Sequence, residues 1–143
     1  MKINNVVVIG SGTMGSGIAA HLCNANIPVT LLDIKTDIAE RAKEKIIKSR
    51  PPLLFEKSKI HSLKTGNIYD DFEEVTKADW IIEAVVERID IKHEIYLKIF
   101  NKRKKDSIVS SNTSTIPLKI LSKKLKNIDK KDFCITHFFN PVR

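Results

Sequence analysis

The feature that most constrains the fold is a glycine-rich turn near the start of the chain, which fits the pattern GxGxxG: Gly10, Ser11, Gly12, Thr13, Met14 and Gly15. The apolar run Ile3 to Ile9 predicts a buried strand before the turn, and Thr13 to Ala25 predicts a helix after it. In this setting Gly10 permits the tight turn, Gly12 lets the backbone approach a pyrophosphate, and Gly15 lets the helix pack on the strand. The pattern predicts a dinucleotide site at the amino terminus of the helix, where free N–H groups face the phosphates.

A glycine-rich turn can also be a purely structural connection, so the residue that ends the next strand matters. The apolar run Val29 to Leu32 predicts that strand, and Asp33 follows it. A carboxylate there can accept hydrogen bonds from the ribose hydroxyls of an adenosine and would repel the 2′-phosphate of NADP. Ile34 offers no compensating charge, although Lys35 is close by. We therefore predict that the cofactor is NAD.

In the rest of the chain, the spacing of the apolar residues alternates between that of strands and that of helices. A second helix begins near Thr36 or Asp37, carries Ile38, Ala42 and Ile46 on one face, and ends before Pro51 and Pro52. Ile68 is assigned to a short strand and Asp71 to Lys77 to a turn of helix. Later strands are predicted at Asp79 to Val86, Ser107 to Ser110 and Phe133 to Phe138, and later helices at Ile91 to Arg103 and Leu118 to Lys124.

This alternation predicts an α/β fold of the Rossmann type: a doubly wound, mostly parallel sheet with helices on both faces. Residues 1–143 are enough for one such domain with its own core. Ligands in folds of this kind bind beyond the carboxyl ends of the strands. Each motif described below falls at such a strand end.

The formal net charge of +8 raises the question of a nucleic-acid partner. The lysines are spread over the chain, interleaved with acids and without interleaved aromatic residues, so we expect no nucleic-acid partner. Local clusters at Lys102 to Lys105 and Lys123 to Lys131 suit surface solvation, helix ends or the phosphates of a coenzyme, and the sequence does not choose between these uses.

The apolar runs are shorter than the about 20 residues of a membrane-spanning helix, and the first run leads into the glycine turn rather than a cleavage site. We expect no membrane partner and a cytoplasmic location. Cys23 and Cys134 are far apart and form no CxxC pair, so we expect two buried small hydrophobic residues and no metal site.

Three later segments carry a family resemblance together with the opening IGSGTMGSGIAAH. They are WIIEAVVER at 80–88, SSNTSTIP at 110–117 and THFFNPV at 136–142. In this order they closely resemble the 3-hydroxyacyl-CoA dehydrogenase family over essentially the whole chain, and in particular multifunctional fatty-acid oxidation enzymes that begin with this domain. HFFNP is the most diagnostic motif, and it disfavours the alternative of a 3-hydroxyacid dehydrogenase with a catalytic lysine.

The resemblance implies that His137 is the general base for the 3-hydroxyl of the substrate. An imidazole exchanges protons near neutral pH, which suits this role, whereas a lone histidine at a strand end is otherwise often structural. The resemblance also implies that Ser114 hydrogen-bonds the substrate oxygen beside the histidine. Helix capping is the alternative for Ser114, and turn formation is the alternative for Asn112 and Thr113.

Further roles follow from the resemblance for four more residues. Glu87 and Lys92 correspond to positions near the nicotinamide ribose and the substrate, and Asn140 to a position at the nicotinamide end. A solvated acid–lysine pair is the alternative for Glu87 and Lys92. Ser49 corresponds to a contact with coenzyme A, but the adjacent prolines prevent an alignment of the other coenzyme A contacts in residues 50–67.

The family converts (S)-3-hydroxyacyl-CoA and NAD to 3-oxoacyl-CoA and NADH in fatty-acid β-oxidation, and we expect this chain to be its cofactor-binding portion. The family pairs its histidine with a glutamate that would lie beyond Arg143, and adds a helical domain that supplies the homodimer interface. We expect residues 1–143 alone to be inactive or weakly active, and monomeric. The alternative is an inactive or non-enzymatic dinucleotide-binding module.

Overall fold

The computed structural model describes residues 2–142 and contains a six-stranded sheet. Its strands are β1 (Val6–Ile9), β2 (Val29–Asp33), β3 (Leu63–Asn67), β4 (Trp80–Glu83), β5 (Ile108–Ser111) and β6 (Phe133–Ile135). The spatial order is β3-β2-β1-β4-β5-β6, and each neighbouring pair is parallel. This is the strand order of dinucleotide-binding folds. The predicted Rossmann-type fold is confirmed, with a sheet that is parallel throughout the described strands.

Five α-helices connect these strands: α1 (Thr13–Asn24), α2 (Thr36–Lys48), α3 (Ile89–Lys102), α4 (Leu118–Leu121) and α5 (Asn127–Lys130). Short 3₁₀ turns occur at Lys57–Ser62, Phe72–Thr76 and Ser122–Lys124. α2 ends before the two prolines, as predicted. The helix expected at 118–124 is instead one turn of α-helix followed by a 3₁₀ turn, and α5 and the turn at 57–62 were not predicted.

The two faces of the sheet pack against different helices. Val6 and Val8 of β1 point into a core that includes residues of α1 and α2. Val7 and Ile9, which alternate with them, point into a second core with α3. Because both faces are covered, all four β1 residues are buried, and the strand reads as an unbroken apolar run rather than an alternating one.

The predicted strands were too long at two ends for reasons that involve side chains. Before Val6, the backbone N–H groups of Asn4 and Asn5 donate to Asp79 Oδ2, at 2.7 and 3.1 Å, instead of joining the sheet. After Ile135, the N–H of Phe138 donates to Asn112 Oδ1 at 2.9 Å. In both places a side chain replaces the backbone partner that would have extended the strand.

Four smaller predictions also need correction. β4 ends at Glu83 rather than Val86, so the residues after it are free to line a cleft, and Ile68 follows β3 rather than belonging to it. Ile38 is only partly buried and lines the same cleft. Cys23 is buried, but Cys134 is only partly so.

Among residues 2–142, no helix is long and apolar enough to cross a bilayer.

Candidate dinucleotide and catalytic site

A cleft of about 570 Å³ opens at the carboxyl ends of the strands, beside the glycine turn. It lies at the carboxyl ends of the adjacent strands β1 and β4, between which the strand order reverses, and this switch point is the usual ligand position in such sheets. Asp33 lies at one side of it, and Ala84 and Val85, which follow β4, lie at the other. Its walls also include Ile34, Ile38, Ile68, Tyr69, Val86 and Lys98.

The three motif glycines are needed for different reasons. Gly10 has a φ of +102°, and a Cβ there would lie 2.5 Å from the carbonyl oxygen of Ala84. A Cβ on Gly15 would lie 1.8 Å from the carbonyl oxygen of Gly10, so α1 could not pack so closely on the turn. A Cβ on Gly12 would meet no atom within 4 Å. Gly10 and Gly15 therefore serve the fold, whereas the space beside Gly12 is open at the amino terminus of α1.

Hydrogen bonds within the protein hold the Asp33 carboxylate in place. Its Oδ2 accepts hydrogen bonds from the backbone N–H and the hydroxyl of Ser11, at 2.7 and 2.5 Å. Its Oδ1 accepts one from the N–H of Ile34 at 2.7 Å. The glycine turn and the end of β2 are thus linked directly, and the carboxylate is fixed at the edge of the cleft.

A second cavity of about 370 Å³ adjoins the first and shares Ala84 and Val85 with it. Four of the residues singled out from the sequence for roles near the nicotinamide line it: Glu87, Ser114, His137 and Asn140. Its other lining residues are Met14, Asn112, Phe138 and Phe139. The two cavities therefore lie side by side, with Asp33 in the first and His137 in the second.

The loops that carry His137 and Ser114 are tied to each other. Asn112, which precedes the serine by two residues, accepts the hydrogen bond from the Phe138 N–H noted above. Thr136 donates its hydroxyl hydrogen bond to Ser110 Oγ at 2.8 Å. Asn112 is therefore more than a turn former, because it holds the histidine loop against the serine loop.

A buried ion pair lies beneath the second cavity. Glu83 and Lys92 have side-chain exposures of 0% and 1%, and Lys92 Nζ donates to Glu83 Oε1 at 2.6 Å. Tyr96 and Ser111 donate to the other oxygen of Glu83, at 2.5 and 2.6 Å. Burial and the adjacent carboxylate raise the pKa of Tyr96, so its hydroxyl stays protonated and remains a donor.

Lys92 also contacts Glu87, with Nζ 3.2 Å from Glu87 Oε2. The other oxygen of Glu87 accepts hydrogen bonds from the hydroxyl of Thr113 and, at 3.3 Å, from the N–H of Ser114. Burial alone would raise the pKa of Glu87, but the Thr113 hydrogen bond and the Lys92 charge outweigh it and lower the pKa. The solvated-pair alternative is wrong for Lys92, which is buried between two carboxylates.

Ser49 lies apart from these residues. Its hydroxyl donates to the carbonyl oxygen of Ile46 at 2.9 Å and accepts from the N–H of Leu53 at 3.0 Å, so it closes the end of α2. It lines a separate basic cavity with Lys48, Arg50 and Lys57, and none of that cavity's residues lines the two described above.

The sequence analysis missed two parts of the site. Glu83 was not singled out, although an acid inside the apolar run WIIEAVV was a usable signal, because a charge in a buried strand needs partners. Tyr69 and Lys98 at the mouth of the first cleft were also missed; Lys98 Nζ lies 5.6 Å from the centre of the Tyr69 ring. Nothing in the sequence indicated that these two would meet.

The geometry fits NAD. The open space at Gly12 would admit a pyrophosphate, Asp33 borders the cleft at the ribose position, and the joined cavities extend to the proposed catalytic histidine. Within the part of the chain that the structure describes, no three His, Cys, Asp or Glu side chains are arranged to hold a metal ion.

Comparison with known proteins supports the same conclusion. Residues 5–143 match the profile of the family described as 3-hydroxyacyl-CoA dehydrogenase, NAD binding domain. A putative fatty acid oxidation complex trifunctional enzyme of Rickettsia felis is 45% identical over 99% of this chain and 21% of its own length. A probable 3-hydroxyacyl-CoA dehydrogenase of Deinococcus radiodurans is 39% identical over 100% of this chain and 43% of its own length.

The crystal structure of 3-hydroxybutyryl-CoA dehydrogenase from Escherichia coli K12 superposes with a TM-score of 0.85 at 29% identity, covering 99% of this chain and 31% of that one. The chain spans less than half the length of each of the two sequence relatives from Rickettsia felis and Deinococcus radiodurans. The match over nearly all of its residues identifies the domain and its cofactor, NAD: the chain belongs to the family of NAD-binding domains of 3-hydroxyacyl-CoA dehydrogenases.

Proposed function

We propose that this chain is the cofactor-binding portion of an enzyme that oxidises (S)-3-hydroxyacyl-CoA to 3-oxoacyl-CoA in fatty-acid β-oxidation. The observation that carries the proposal is the joined pair of cavities, with the glycine turn and Asp33 in one and His137 and Ser114 in the other. The full-length match to this family supports it.

In this proposal the residues divide the binding of NAD between the two cavities. Asp33 and the turn from Gly10 to Gly15 hold the adenosine and the pyrophosphate. Glu87 and Asn140 border the nicotinamide end, and Lys92 acts there through Glu87, because its ammonium group is buried. Bound NAD supplies the acceptor for the hydride that leaves C3 of the substrate.

The chemistry left to this chain is the movement of one proton. His137 takes the proton of the 3-hydroxyl as the C3–H bond breaks and the carbonyl forms, and returns a proton in the reverse direction. Ser114 donates a hydrogen bond to the same oxygen and fixes its position. Both side chains are exposed in the second cavity, as a group that must reach a substrate has to be.

We further propose that residues 1–143 form one domain and that a helical domain outside them completes the site in the family enzyme. The carboxylate that orients His137, the cover that excludes water and the homodimer interface would come from there. Residues 1–143 alone would then be a monomer of low activity, and light scattering can check the oligomeric state.

Two further predictions stay open: that Ser49 contacts coenzyme A, and that the protein is cytoplasmic.

The test is reconstitution with acetoacetyl-CoA and NADH as substrates. Adding a separately produced helical domain that carries the glutamate of the family should raise the rate, and His137→Ala should lower the reconstituted rate by about 10²–10⁴-fold. A matched control is His61→Ala, because His61 borders a different cavity near the opposite ends of the strands. Equal activity with and without His137 would contradict the assignment of the base.

The competing hypothesis is a dinucleotide-binding module without turnover. It predicts NADH binding but no rate above background at any concentration of the added domain. The exposed histidine and serine in one cavity favour the enzyme.

A further inference from the structure

The site contains a buried carboxylate for which the resemblance implies no role. Glu83 is fully buried and accepts four hydrogen bonds, from Lys92, Tyr96, Ser111 and the backbone N–H of Val85. Both carboxylate oxygens are therefore satisfied. Glu83 lines neither cavity, so any influence on a ligand must pass through its neighbours.

Stability alone is a weak reason for this arrangement. A buried ion pair often contributes no more to stability than apolar residues of the same volume, because both charges lose their hydration. Here the charges do not even balance within the cluster, since two carboxylates, Glu83 and Glu87, share the single ammonium group of Lys92. Glu87, the second carboxylate of the cluster, has a side chain that is 38% exposed and lines the second cavity together with Ser114.

The sharing of Lys92 determines what Glu87 can bind. Lys92 Nζ is closer to Glu83, at 2.6 Å, than to Glu87, at 3.2 Å, so its charge interacts mainly with the Glu83 carboxylate. Lys92 contacts Oε2 of Glu87, whereas Oε1 accepts hydrogen bonds from Thr113, from the N–H of Ser114 and from Thr115. If the charge on Glu83 is removed, we expect Lys92 to interact more strongly with Glu87 and to draw it away from the serine loop.

We propose, building on the proposed function, that Glu83 is a positioning residue for the nicotinamide end of the cofactor site, acting through Lys92 on Glu87 and the serine loop. At the adenosine end, Asp33 is held by Ser11 and Ile34 and not by this cluster, although Val85, which donates to Glu83, borders both cavities. The two ends of one ligand should therefore respond differently to a change at Glu83.

The test is Glu83→Gln in this chain, with the binding of NADH and of ADP measured separately. Tyr96 and Ser111 can rotate their hydroxyls to accept from the new amide, so the change removes a charge with little change of shape. ADP reaches only the adenosine end. We expect NADH affinity to fall about tenfold, the effect of one charge-assisted contact, with ADP affinity unchanged within about twofold.

Energy transfer from the single tryptophan, Trp80, offers a signal for NADH, and calorimetry serves for ADP. The matched control is Glu44→Gln, which removes the acid from an exposed lysine pair on α2, with Glu44 Oε2 3.5 Å from Lys48 Nζ. This control should leave both affinities unchanged.

A double-mutant cycle tests the route of the effect. If Glu83 acts through Glu87, Glu83→Gln should have no further effect on NADH affinity once Glu87→Gln is present, so the double variant should match Glu87→Gln within about twofold. Additive losses would overturn the proposed route. Glu87→Gln changes a partly exposed residue, and neither substitution in the double variant shortens a side chain in the core.

Two other results overturn the inference while leaving the proposed function intact. One is unchanged NADH affinity in Glu83→Gln, and the other is an equal loss of NADH and ADP binding, which would indicate a purely structural role. A wild-type chain that bound NADH no better than ADP would refute both, because no nicotinamide subsite would then exist to be positioned.

Discussion

The two ends of the cofactor site are built in different ways. The adenosine end is made by a short stretch of chain: the glycine turn, whose Gly10 and Gly15 allow close backbone contacts, and Asp33, held by Ser11. The nicotinamide end is assembled from three separate loops over a buried cluster around Glu83 and Lys92. The first end depends on two positions without side chains and on one carboxylate that is held locally, whereas the second depends on side chains from several distant segments.

This difference predicts which substitutions damage the fold, and the largest effect belongs to the buried cluster. Lys92→Met leaves the Glu83 carboxylate buried without its cation, which should lower the free energy of unfolding by about 3–5 kcal/mol in denaturant titrations. Lys102→Met is the matched control, because Lys102 forms an exposed pair with Glu73 at 2.5 Å. Lys102→Met should lower the free energy of unfolding far less than Lys92→Met, because solvent screens an exposed pair.

The double variant Glu83→Gln with Lys92→Met removes both charges and should recover part of that loss. Equal destabilisation by Lys92→Met and Lys102→Met would mean that the buried pair contributes no more than a surface pair.

The next effect separates the two kinds of glycine at the adenosine end. Gly15→Ala places a Cβ against the backbone of Gly10 and should lower the free energy of unfolding by about 3 kcal/mol. Gly12→Ala meets no atom and should change stability by less than about 0.5 kcal/mol while still weakening NADH binding, because the methyl group occupies the pyrophosphate position. Unaltered NADH binding in Gly12→Ala would contradict the assigned position of the pyrophosphate.

The same difference explains how much the sequence could predict. The Rossmann-type fold and the adenosine end follow from local patterns, namely the alternation of strands and helices, the GxGxxG turn and the acid after β2. The cluster at Glu83 depends on Tyr96 and Ser111, which come from α3 and β5. Contacts between distant segments leave no periodic signal, so the sequence indicated the loops but not what holds them.

Strand lengths show the same limit. Apolar runs predicted where strands lie, but their ends are set by side chains from elsewhere, as with Asp79 at Asn4 and Asn112 at Phe138. The resemblance supplied residue roles that composition and periodicity alone could not have suggested for Ser114 or Asn140.

A smaller effect is expected at Asp79, which precedes β4 and so lies at the amino-terminal ends of the strands, opposite the cofactor site. A hydrogen bond from Lys104, with others from the Asn4 and Asn5 backbone, lowers the pKa of Asp79 to about 2. Asp79→Asn should cost about 2 kcal/mol at pH 7, because it weakens hydrogen bonds to a charged group, and should leave NADH affinity unchanged.

The pH dependence of that effect has a definite sign. The pKa of an unfolded aspartate is about 3.9, so a carboxylate with a depressed folded pKa contributes its stability above that value and loses it as the pH falls through about 2. The stability difference between wild type and Asp79→Asn should therefore be constant near neutral pH and shrink between about pH 4 and pH 2. A difference that grew on acidification would contradict the assignment.

The most direct test of the account is a titration of this chain with NADH and NADPH, in wild type and in Asp33→Ala. The account predicts that NADH binds at least about tenfold more tightly than NADPH, a difference of about 1.4 kcal/mol, because the Asp33 carboxylate repels a 2′-phosphate. Asp33→Ala should weaken NADH and remove most of the discrimination. Tighter binding of NADPH to wild type, or unchanged NADH affinity in Asp33→Ala, would contradict it.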